Sequence, residues 1–142
     1  MKKEAIISIH GKHSYGLPDE NDVELVTAGC FYRTNGDYFI SYKESALTGL
    51  EGTTTTVKVE RGRVTLLRYG EISSQQVFEQ DRKHFSYYDT DLGAMTIGVS
   101  ARRVKTAMND AGGDIEVDYA IEVDHTVTGE SAFKINVRAL PS

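Results

Sequence analysis

From Ile115 to His125 the chain reads Ile-Glu-Val-Asp-Tyr-Ala-Ile-Glu-Val-Asp-His, apolar at each odd position through Val123 and mostly acidic at the even ones. A period of two sends successive side chains to opposite faces of an extended strand, and it fits no helix. The same alternation recurs along most of the 142 residues. It predicts an all-β chain, an antiparallel up-and-down barrel of about 8–10 strands with one wall buried and the other wet. The pattern constrains the fold strongly and the chemistry hardly at all.

Turn residues set the expected registers. Asn35-Gly36 suits a type I′ hairpin, because both residues tolerate positive φ; it pairs Phe31 with Ile40 and places Tyr38 and Tyr42 on the same face. Arg61-Gly62 pairs Val59 with Val64 and Val57 with Leu66. A three-residue turn at Val127-Thr128-Gly129 sets Val123 opposite Phe133 and Ile121 opposite Ile135. A four-residue loop at Asp110-Ala111-Gly112-Gly113 brings Met108 to Ile115 and Val104 to Tyr119. Met95, Ile97, Val99 and Ala101 share one parity and Val104, Thr106 and Met108 the other, so keeping Ala101 opposite Ile121 requires a β-bulge at Arg102-Arg103. Non-strand stretches are expected from Ser14 to Asn21 and from Glu44 to Gly52, the second with one helical turn around Ser45-Ala46-Leu47.

A chain of this length is expected to form one domain, residues 1–142, with a core that needs no covalent staples. Hydrophobic residues make up 39% and charged residues 26%, ordinary for a soluble globular protein. The net charge of −5 speaks against a nucleic-acid partner, which calls for a basic face. A single cysteine, Cys30, permits no internal disulfide and suits a reducing cytoplasm; between Gly29 and Phe31 it is expected to be a buried, inert thiol. No apolar run approaches a membrane span. The expected location is cytoplasmic.

No catalytic set emerges. The acidic row Asp114, Glu116, Asp118, Glu122 and Asp124 is expected to meet cations across the strands, Glu122 with Lys134 and Asp118 with Arg138 and Lys105. His10 and His13 fall on opposite strand faces, and nothing groups the four histidines with Cys30 into a metal site. Nucleophile elbows and phosphate loops are missing from the sequence, and no cofactor is expected. What stands out is a set of polar residues on the expected inner face, Arg68 opposite Thr55, with Gln76, Tyr42, Tyr87 and Tyr119; the same parity brings Phe78 and Phe85 inward. An arginine there needs an anion. It either anchors a small amphipathic or acidic ligand within the barrel, or pairs with a protein carboxylate or reaches water at the rim. The alternative function is a non-catalytic interaction or homodimerising module with a filled barrel and an apolar patch near Leu47, Leu50 or Leu92.

Several residue runs resemble a known family. They are Tyr38-Phe39-Ile40-Ser41-Tyr42-Lys43-Glu44, Leu50-Glu51-Gly52-Thr53-Thr54-Thr55-Thr56-Val57-Lys58-Val59, Arg68-Tyr69-Gly70, Val77-Phe78-Glu79, His84-Phe85-Ser86-Tyr87-Tyr88-Asp89-Thr90 and Gly129-Glu130-Ser131-Ala132-Phe133-Lys134-Ile135. In this order, across residues 5 to 138, they resemble the YwiB-like family of small Firmicutes proteins, a domain of unknown function. The resemblance implies a calycin-like barrel, related in shape to lipocalins and fatty-acid-binding proteins, and implies no activity. The chain departs from the family pattern at Thr90-Asp91-Leu92-Gly93, where Thr-Pro-Tyr-Gly is usual, and at Gln76, where methionine is usual.

Overall fold

The computed structural model describes residues 2–14, 21–44, 52–70, 74–90 and 93–141, with the backbone alone at 12–14, 21–23, 74, 87–90 and 128. Ten strands follow in chain order: β1 Lys3–Ser14, β2 Asn21–Thr34, β3 Asp37–Lys43, β4 Thr54–Glu60, β5 Arg63–Tyr69, β6 Ser74–Glu79, β7 Lys83–Thr90, β8 Gly93–Asn109, β9 Gly112–Val123 and β10 Thr126–Ala139. They form one antiparallel sheet in the order β6-β5-β4-β3-β2-β1-β10-β9-β8-β7. Every neighbour is also the next strand in the chain except β1 and β10, which join its two ends at mid-sheet. The result is a nearly closed up-and-down barrel. Among the described residues no helix is long and apolar enough to cross a membrane. The expected helical turn at Ser45-Ala46-Leu47, the Pro18-Asp19 stretch and the leucines Leu47, Leu50 and Leu92 lie outside the described residues.

Alternation fills the interior as expected. Ile7, Ile40, Val57, Val64, Phe78, Ile115, Val117 and Ile135 belong to one contiguous buried cluster. The hairpins at Asn35-Gly36 and Arg61-Gly62 adopt the expected registers, Phe31 with Ile40 and Val59 with Val64. Asn35 and Gly36 both have positive φ, 52° and 85°, as a type I′ turn requires.

Two other registers differ from expectation. The β9–β10 turn is made by Asp124 and His125, both at positive φ, and the strands run longer than the Val127-Thr128-Gly129 turn would allow. Phe133 therefore pairs with Val117 instead of Val123, and Ile135 with Ile115 instead of Ile121. Asp124 is held in place by a third strand: its N–H donates to the Thr96 carbonyl and its Oδ1 accepts from the Thr96 N–H, at 2.9 and 3.1 Å. Gly129 serves instead at a register shift after Val127. Likewise β8 turns into β9 through Asp110-Ala111 alone, so Val104 meets Val117 and Met108 meets Gly113. Both displacements are by an even number of residues, so the paired side chains of β8, β9 and β10 keep their expected faces. The bulge is present where expected, between Ala101 and Arg103, although Ala101 pairs with Tyr119 rather than Ile121.

With new registers come new ion pairs. Lys134 Nζ lies 3.0 Å from Glu116, not beside Glu122; Glu122 takes Lys83 at 2.7 Å; Asp118 faces Arg103 at 3.8 Å rather than Arg138 or Lys105. Cys30 is exposed, because Gly29 and Phe31 take the inner parity and leave its thiol on the outer wall. Phe85 is also outside, 46% exposed. It pairs with Gly98, whose missing side chain leaves bare backbone that the ring covers, and His84 takes the parity of buried Val99.

β6 and β7 are joined by Gln80-Asp81-Arg82, yet they are the two ends of the sheet and share no ladder. Phe78 closes the interior there, its ring centroid 4.8 Å from Tyr119 and 5.2 Å from Phe133, edge to face with both. Small Ala101, in register with Tyr119, leaves room for the ring. On the same seam the Glu79 carboxylate receives His84 Nε2 at 3.0 Å and Arg63 at 3.4 Å, with Arg82 at 3.8 Å.

Two outcomes follow from this packing. Phe78→Ala removes a fully buried ring and is expected to cost about 3–5 kcal/mol in urea unfolding, against roughly 1 kcal/mol or less for Phe85→Ala. The carboxyls of Glu79 and Glu116 are held below their ordinary value of 4.5, chiefly by hydrogen bonds from His84 and from Lys134. A depressed carboxyl stabilises the fold above its unfolded pKa and loses that contribution as pH falls through the lower folded value. The urea midpoint is therefore expected to fall on acidification below pH 4.5, and Glu79→Gln with Glu116→Gln is expected to flatten that dependence.

Candidate functional site

The inner wall changes character along the strands. One transverse row reads Phe31, Ile40, Val57, Leu66 and Gln76 on β2 to β6; the next reads Gly29, Tyr42, Thr55, Arg68 and, by backbone register, Ser74. Apolar rows thus give way to a polar row near one end of the barrel. Tyr42 can occupy its position because Gly29 has no side chain: a Cβ there would lie 2.5 Å from Ile7 Cδ1 and closer still to the Ser41 carbonyl oxygen.

One step beyond Tyr42 on the same face stands Glu44, buried although it is a carboxylate. Its N–H donates to the Thr53 carbonyl at 2.8 Å, which extends the β3–β4 pairing past the formal strand end. Its Oε1 accepts the Thr55 hydroxyl at 2.6 Å. Thr55 and Tyr42 are themselves buried. The Tyr42 phenol is pushed well above its ordinary value, first by burial and then by the Glu44 carboxylate, with Arg68 pulling weakly the other way. Burial and the Glu44 carboxylate, which accepts a hydrogen bond from the phenol, thus both favour the neutral hydroxyl of Tyr42.

Arg68 brings the cation to this group. Its Nε is buried and, among the described residues, has no hydrogen-bond partner. A guanidinium cannot shed its proton, so this N–H is a fixed donor lacking an acceptor, at a cost of about 1–3 kcal/mol. The expected inner-face residues are therefore distributed as follows. Tyr42 and Arg68 are brought together. Gln76 stands one row deeper, next to Leu66. Tyr119 joins Phe78 and Phe133 in an aromatic trio, 4.8 and 6.0 Å away. Tyr87 pairs with Thr96 through its backbone, and its side chain lies outside the described residues. By sequence Glu44 opens an expected loop, yet it follows Tyr38, Ile40 and Tyr42 at intervals of two, and that parity is the signal for its inward position. Among the described residues no group of three His, Cys, Asp or Glu could hold a metal.

Residues 7–135 match a family model described as a domain of unknown function, DUF1934. The chain belongs to that family. Its fold is that of the crystal structure of the ywiB protein from Bacillus subtilis, with a TM-score of 0.81 over 99% of this chain and 94% of that one, at 18% identity. Among curated proteins none matches. The YwiB-like resemblance of the residue runs and the all-β barrel they imply are thus both shown, and neither carries an activity.

Glu44→Ala is expected to lower the urea midpoint, by about 1–3 kcal/mol of lost carboxylate hydrogen bonding and uncompensated charge. Glu44→Gln should lose less. In the intact protein, the ring-carbon signal of Tyr42 is expected to keep its protonated position at pH 10, the ordinary tyrosine value.

Proposed function

We propose that this barrel binds a small amphipathic or acidic molecule at its polar end, with an oxygen of the head accepting the Arg68 Nε–H. The single observation that supports it is the buried Arg68 Nε without an acceptor. Gln76 and the Tyr42 hydroxyl flank the same place and would fix the head's orientation, while Leu66 and Val57 would meet its apolar part. The Glu44 carboxylate stands at the same end, bonded to Thr55, so selection there would follow hydrogen-bond geometry more than net charge. The interior is filled at the level of Phe78, Tyr119 and Phe133, which limits the reading to a short molecule seated near the mouth. In this reading the protein is a cytoplasmic binding protein, not an enzyme, with neither nucleic acid nor membrane as its partner.

The same filled interior favours a second reading, a protein-interaction or homodimerising module that works through its outer wall. The two separate cleanly by experiment. Native mass spectrometry of protein purified from its own host is expected to show an added small mass, lost in Arg68→Ala and partly kept in Arg68→Lys. Bare polypeptide in the wild type, together with a dimer in sedimentation, would favour the second reading.

A further inference from the structure

We propose that the β6–β7 seam is a gate, a line along which the barrel parts and recloses while every strand ladder stays intact. Elsewhere around the barrel, neighbouring strands are held by continuous ladders of backbone hydrogen bonds. Among the described residues the bonds that hold this seam are few and of mixed kind, two tying the β6–β7 turn to β8 and two crossing between β6 and β7. Asp81 N–H donates to the Ala101 carbonyl at 3.0 Å, Val104 N–H donates to Gln80 Oε1 at 3.1 Å, and the Ser86 hydroxyl donates to the Gln75 carbonyl at 3.0 Å. The fourth tie is His84 to Glu79, also at 3.0 Å. Three of these four depend on a side chain, and Gln80 is exposed.

The start of β7 at Lys83 explains why the ties fall here. β7 pairs with β8 only as far as Ser100, so from Ala101 onward β8 offers a free edge, and the β6–β7 turn docks on its first groups. Parting these ties strips no ladder, so much of the cost is the burial of Phe78 against Tyr119 and Phe133. Motions that break few buried contacts come from the low-stability end of a fold and run on microsecond to second scales. The seam also lies beside the polar end: Gln75 precedes Gln76, and β6 is the strand that pairs with Arg68. An opening there gives a molecule a lateral way to Arg68 and the aromatic trio. The gate itself requires no bound molecule, so its failure and the failure of the Arg68 reading are seen separately.

Native-state hydrogen exchange followed by NMR tests it. The amides of Asp81 and Val104 are expected to exchange at least tenfold faster than those of Ile7 and Ile135, and relaxation dispersion is expected to give the Phe78 and Tyr119 ring signals a common opening rate with them. Gln80→Ala, at an exposed position, is expected to raise the open population at least threefold with the urea midpoint nearly unchanged. Exchange of Asp81 and Val104 as slow as that of Ile7 and Ile135 would overturn the gate. So would an opening rate not shared by the rings, or one that Gln80→Ala leaves alone.

Discussion

Backbone hydrogen-bond satisfaction governs this molecule. A ten-stranded antiparallel sheet has two edges, each a row of donors and acceptors that must find partners or water. Curling brings the edges face to face, and the twin demands of the inner core and the outer charged rows decide how far the curl goes. Here β8 is long and bulged at Arg102, so its first half serves β7 and its second half faces the turn that follows β6. The two edges meet without a ladder, and side chains do what backbone does elsewhere. Phe78 supplies the apolar part of that closure; Glu79, Gln80, His84 and Ser86 supply the polar part.

The polar end depends on the same sheet geometry. Tyr42, Thr55 and Arg68 belong to three strands and meet only because the hairpin registers line them up in one transverse row. Glu44 joins them from the next row, and its carboxylate ties Thr55 to the group. A buried cation beside a buried carboxylate is costly unless its remaining donors and acceptors are met. Among the described residues the Arg68 Nε is buried without an acceptor, and that donor gives the end of the barrel its chemical character.

Much of the fold was legible because a period of two is hard to imitate. Strand identity, inner and outer faces, the bulge at Arg102-Arg103 and the two tight hairpins all follow from local pattern and turn chemistry. What misled was the assumption that glycine marks the turn. Asp124 and His125 adopt positive φ because Thr96, far away in sequence, holds Asp124 at both its N–H and its carboxylate. Phe85 departs for another reason: an even loop through Gln80-Asp81 would put it on the face of Phe78, whereas three residues separate β6 from β7, and Phe85 covers the stripe of backbone that Gly98 leaves open on the outer wall. At the polar end, Arg68, Tyr42 and Glu44 all follow the inner parity, but Glu44 stands where the sequence passes into an expected loop, so parity alone did not mark it as a strand position.

Alternation by itself decided which side chains of a strand share a face, because that depends only on the geometry of an extended chain and survives any even slip in register. It also decided the class of fold, since inward apolar residues on strand after strand leave a curled sheet as the economical solution. Which residue pairs with which, which ion pairs form, where the barrel stays open to parting, and that a carboxylate stands beside Arg68 were decided only by the folded whole. Those features depend on contacts between strands remote in sequence, and no local pattern encodes the distance between them.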